Sequence, residues 1–150
     1  MDVSTRLWMA GVVSQHRDRV LIDRLLRHVR ACCHRGEALL VCTDGFAAYP
    51  KSIARTFREK VKKKEGRGRC RLEVWHDLCI ATVIKRTEKK RVVEITRKLM
   101  SSSVEKAQEL LRATKGCQEF NTSFIERFNG TMRERLASLT RKCRHAAHRL

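Results

Sequence analysis

The chain has 150 residues, 42% hydrophobic and 33% charged, enough apolar material for one compact domain and too little for a membrane protein. Thirty-four Lys and Arg against sixteen Asp and Glu leave a formal charge of +18 spread along the chain, an excess that repels itself unless a polyanion such as nucleic acid screens it. No run approaches the ~20 apolar residues of a spanning helix, Met1 to Thr5 lacks a basic secretory start, and seven cysteines without a Cys-x-x-Cys pair suit neither a disulfide framework nor a zinc site, which together fit a cytoplasmic protein.

In chain order, residues 6–14 carry the aromatic and β-branched content of a strand. Arg17 and Asp18 then open a helix to about Cys33, with Leu21, Ile22, Leu25, Leu26, Val29 and Cys32 on one stripe. Its Arg19, Arg24, Arg27 and Arg30 lie mostly off that stripe and suit either a solvated face or phosphate contact. Residues 38–43 form a short apolar run that reads as a buried strand ending at Asp44, and Gly45 gives the chain freedom to turn. A carboxylate at a strand's carboxyl end faces the crevice where open α/β sheets bind ligands, although Asp before Gly also forms turns.

A second helix is predicted over residues 46–61, with Pro50 near its start where the missing N–H does no harm. The following basic stretch contains Lys62, Lys63, Lys64, Arg67 and Arg69 and reads as an exposed loop or a DNA-backbone contact. Residues 71–75, 79–84 and 91–95 read as strands, a β-rich excursion of about residues 66–100 between the central sheet and the last helix. A third helix is expected over residues 103–113. Cys70, His76 and Cys79, like Cys32, Cys33 and His34, lack zinc-site spacing and suit small buried hydrophobes and surface histidines. Trp8 and Trp75 suit the core better than a base-stacking role.

The stretch from Asn121 to Leu136 organises the rest. Asn121, Thr122 or Ser123 can cap a helix in which Phe124, Ile125, Phe128, Met132, Leu136 and Leu139 recur at helical spacing, so one face is expected to be core. Glu126, Asn129 and Arg133 share a second face, offset by three and then four residues. A glutamate in a helix's first turn is also favoured by the macrodipole, whatever else it does.

The segment Thr43-Asp44-Gly45-Phe46-Ala47-Ala48-Tyr49, with Asn121-Thr122-Ser123-Phe124-Ile125-Glu126-Arg127-Phe128-Asn129 and the following Arg133-Glu134-Arg135-Leu136, resembles the second and third acidic segments of bacterial insertion-sequence transposases of the DDE type. The likeness implies an α/β, ribonuclease-H-like mixed sheet flanked by helices, and magnesium- or manganese-dependent cleavage and transfer of DNA strands. By that likeness Asp44 and Glu126 would be catalytic and, with an upstream aspartate, would hold two Mg²⁺ ions; Asn129 and Arg133 would orient Glu126 or touch DNA. Arg127 and Arg135 would suit DNA contact, and assembly as a homo-oligomer on double-stranded DNA stays open. The family's first strands and first aspartate have no counterpart here, and the helical, basic residues 141–150 end abruptly, so the expectation is a partial catalytic domain, marginally folded and weakly active in isolation. The competing reading is a basic, non-enzymatic nucleic-acid-binding protein whose carboxylates only balance charge.

Overall fold

Residues 1–62, 69–89, 91–114 and 118–136 are described by a computed structural model of the chain. The first helix, α1 (Arg19–Ala31), starts where Asp18 stands in extended backbone and its carboxylate accepts a hydrogen bond from the Leu21 N–H at 2.8 Å. Such a cap satisfies one of the orphan donors of a helix start. The stripe of α1 buries Ile22 and Leu26, while Arg19, Arg24 and Arg27 stay exposed. Arg30 belongs to neither of the expected classes. Its guanidinium donates to the Thr56 and Arg58 carbonyls at 2.5 and 2.7 Å and lies 5.7 Å from the Trp75 ring, tying α1 to the chain beyond it.

The strand β1 (Leu39–Asp44) is followed by α2 (Ala48–Thr56), which places Pro50 in its first turn. This helix is shorter than its periodicity predicts. Phe57 leaves the helical region at φ −88°, ψ 63°, and β2 (Arg58–Val61) pairs antiparallel with β3 (Arg71–Val74), so cross-strand bonds win over continued helix. Next come β4 (Leu78–Glu88), β5 (Arg91–Ser101), α3 (Val104–Ala113) and α4 (Ser123–Arg135).

The result is an α/β fold with a mixed three-stranded sheet in the order β1-β4-β5, in which β1 and β4 run parallel and β4 and β5 antiparallel. Six consecutive buried residues, Leu78 to Val83, make β4 the middle strand with both faces covered. Leu78 and Ile80 meet Ile22 and Leu26 of α1, Ile53 of α2, Phe57 and Trp75 in one core cluster, where Phe57 and Trp75 pack edge to face with centroids 5.1 Å apart. Residues alternate along a strand, so Cys79, Ala81 and Val83 face the other way. Ala107 and Leu111 of α3 are buried outside that cluster, and α3 touches β1, which sets the sheet between two helical layers.

Four expectations change. The strands beyond residue 77 are not an excursion: β4 pairs directly with β1 and β5 extends the same sheet, whereas β2 and β3 form the separate two-stranded unit. Residues 6–14 join no ladder. With Arg6 at φ 63° the segment lies against α4 through side chains instead, Arg6 over the Phe124 ring at 3.6 Å and a half-exposed Trp8 tilted against Phe128 with ring centroids 5.5 Å apart, so Trp75 is core and Trp8 is not. No residue of α4 is buried; Phe124, Ile125, Phe128 and Met132 are partly covered, so the apolar stripe is a docking face rather than core. Gly45 does not use a left-handed φ, and what it provides is space, since a Cβ there would stand 3.2 Å from Ile84 Cγ1.

Candidate functional site

Parallel pairing sets Asp44, the last residue of β1, opposite Val83. Two residues on, Lys85 leaves the same face of β4. Glu126, in the first turn of α4, meets it: Lys85 Nζ donates to both Glu126 carboxylate oxygens at 2.6 Å. Asp44 and Glu126, distant in sequence, therefore line one open cleft of about 310 Å³ together with Arg17, Gly45, Phe46, Lys85 and Thr122.

The capping segment of α4 orients the glutamate. Thr122 occupies the N-cap, yet its hydroxyl makes no bond to the helix backbone and instead donates to Glu126 Oε1 at 2.5 Å. Asn121 Oδ1 accepts from the Ser123 backbone N–H at 3.2 Å and from its hydroxyl at 2.7 Å, which fixes the turn before the helix. Partial burial works against the Glu126 charge, but the hydrogen bonds from Lys85 and Thr122 and the Lys85 charge outweigh it, so the Glu126 pKa lies below its ordinary value of 4.5; nearby Asp44 opposes that shift.

Asp44 is also held. Its Oδ1 accepts from the Phe46 N–H at 3.1 Å, closing the turn into α2, and its Oδ2 accepts from Arg17 at 2.7 Å. The Arg17 guanidinium lies 4.6 Å from the Phe46 ring centroid and 6.0 Å from that of Tyr49, and the hydrogen bond to Asp44 raises its pKa. The cleft thus gathers two acids and two bases. Its carboxylate oxygens suit a hard divalent cation, and the donors of Arg17 and Lys85 suit a phosphate.

Mg²⁺ is commonly held by one or two carboxylates completed by water and substrate phosphates, a number that Asp44 and Glu126 meet. Among the described residues no three His, Cys, Asp or Glu side chains gather as a metal group. Asp2 offers nothing to this cleft: the Thr5 and Ser4 hydroxyls and amides hold its carboxylate locally and lower its pKa to about 2.

Asn129, Arg127, Arg133 and Arg135 lie on exposed parts of α4, and none of them lines the cleft. Lys62 and Arg69 are exposed beside the β2–β3 pair, whereas Lys63, Lys64, Arg67, Leu139 and residues 141–150 lie outside the described residues. Sequence reasoning missed Arg17 and Lys85. Each is one basic residue among thirty-four; the pairing of β1 with β4 sets Lys85 beside the Asp44 end of the sheet, and Arg17 reaches the cleft from the segment before α1. Among the described residues no helix is long and apolar enough to cross a membrane. Compared with family models, curated proteins and solved structures, the chain matches none.

Proposed function

We propose that this chain carries two of the catalytic carboxylates of a DDE-type insertion-sequence transposase with a ribonuclease-H-like fold, a DNA-cleaving and strand-joining enzyme that uses Mg²⁺ or Mn²⁺. The observation that carries this reading is the meeting of Asp44, at the carboxyl end of β1, with Glu126, at the start of α4, in one cleft. Two residues singled out by their motifs share a site that neither motif implies alone. The sheet order is compatible with it, since β1 and β4 are parallel with α2 in the crossover between them. The +18 charge supports double-stranded DNA as partner.

In this reading Asp44 and Glu126 hold a divalent ion, which when bound supplies Lewis acidity for in-line attack on a phosphodiester. Thr122 fixes the Glu126 rotamer through Oε1, and the Phe46 and Tyr49 rings limit where the Arg17 guanidinium can move. Arg17 and Lys85 offer N–H donors at the same cleft and suit the charge of the phosphate undergoing attack. A further carboxylate is required for a second ion.

One observation favours the competing reading of a non-enzymatic nucleic-acid binder: Asp44 and Glu126 are each ion-paired with a base, as charge-balancing residues would be. Metal separates the two. Mn²⁺ titration followed by electron paramagnetic resonance should give about one bound ion per chain, absent in Asp44→Asn and in Glu126→Gln, while both variants keep their affinity for duplex DNA. Glu126→Gln should also abolish any Mn²⁺-dependent nicking of plasmid DNA. A chain that binds duplex but no Mn²⁺ is the non-enzymatic binder.

A further inference from the structure

The β4–β5 pair outruns the sheet. β1 ends at Asp44, opposite Val83, so from Ile84 to Glu88 β4 is bonded only to β5. This stretch is a two-stranded ribbon about 17 Å long at ~3.4 Å per residue. Isolated ribbons are marginal in water, and this one keeps Val92, Val93 and Ile95 between 41% and 59% exposed on its strands. Such residues are an aggregation hazard unless something covers them.

Three features say what covers it. The first is charge: residues 84–96, leaving out 90, carry Lys85, Arg86, Lys89 and Arg91 against Glu88 and Glu94. Lys89 and Arg91 are exposed and have no carboxylate partner among the described residues, which favours an anionic occupant. A second copy of the chain would bring the same +18 charge to the ribbon and be repelled. The second is shape. The register shift between Arg86 and Thr87 leaves Val93 as an extra residue, and a bulge of that kind strengthens the right-handed twist of a ribbon. A twisted two-stranded ribbon fits the major groove of B-DNA, which is ~12 Å wide and offers thymine methyl groups to apolar side chains. The third is position. Lys85, at the root of the ribbon, lines the cleft with Asp44 and Glu126, so a duplex held along the ribbon is led to those carboxylates.

We propose that the β4–β5 ribbon is a DNA-binding element that enters the major groove, with Arg86, Lys89 and Arg91 on phosphates and Val92, Val93 and Ile95 toward base edges. It rests on the DNA reading given above and adds which part of the chain holds the duplex. The test is fluorescence anisotropy with a 20-base-pair duplex across a salt series, for the wild type and for Lys89→Ala/Arg91→Ala. Removing two phosphate contacts should weaken binding about tenfold and lower the log–log salt slope by about 1.8. In parallel, the wild-type chain is offered the same duplex with its cytosines glucosylated through 5-hydroxymethyl groups, which fill the major groove, and should bind it about tenfold more weakly. Unchanged slope in the variant, or equal wild-type affinity for the two duplexes, would overturn the ribbon assignment while leaving DNA binding in place. A wild type that binds no duplex, and instead self-associates through an interface that Val92→Thr/Val93→Thr abolishes, would overturn both and put a second copy on the ribbon.

Discussion

Replacing Lys85 with methionine should loosen α4 while leaving the rest of the chain folded. No residue of α4 is buried, and its anchors include the Lys85–Glu126 ion pair, Arg6 over Phe124 and Trp8 against Phe128. The ion pair is 28% and 51% exposed on its two sides, so solvent screening holds it to about 0.5–1 kcal/mol despite its 2.6 Å geometry. The cation–π contact adds about 0.5–1 kcal/mol and the ring pair about 0.5–1.5 kcal/mol. Methionine keeps most of the aliphatic stem and removes only the charge and its hydrogen bonds. Amide exchange within α4 should therefore accelerate about two- to fivefold, because the helix opens locally without global unfolding. Exchange in Leu78 to Val83 and in α1 should not change. Hydrogen exchange resolved by mass spectrometry reads both regions in one experiment. Unaltered exchange in α4 would show that the ion pair does not anchor it, and uniform acceleration through β4 and α1 would show that α4 is part of the global cooperative unit.

Acid should act on the same helix. Glu126 has its pKa held below 4.5, so the stabilisation from its charged form is complete above that value and is lost as pH falls through the lowered one; α4 exchange, corrected for intrinsic rates, should rise from pH 4.5 downward, and this step should shrink sharply in Lys85→Met. Phe57→Ala removes a fully buried ring from its edge-to-face packing with Trp75 and should cost about 3–5 kcal/mol in urea unfolding, several times the effect of any change at the cleft. Asp18→Ala should cost about 1 kcal/mol by orphaning the Leu21 N–H, with Asp18→Asn recovering most of it; equal stability of wild type and Asp18→Ala would show that the cap does not hold the start of α1.

The parts of this chain that the sequence by itself determined are those where one local pattern suffices. The α1 stripe and its Asp18 cap, the apolar run into Asp44, the α3 period and the helix after Thr122 all follow from spacing and capping chemistry within a few residues. The excess of positive charge is likewise a property of the sequence alone. Tertiary structure decided the rest, because a strand needs a partner that local spacing does not identify. Residues 6–14 have strand composition and no ladder, whereas residues 58–61 continue a helical pattern and become β2 because β3 is there to pair with. The run from Leu78 to Val83 reads as a strand anywhere in the chain; only its parallel register with β1 makes it central. That register also sets Lys85 on the Asp44 side of the sheet and roots the ribbon at the cleft. A slip of one residue would turn Lys85 to the opposite face, so the site depends on a pairing fixed by the buried faces of the whole sheet.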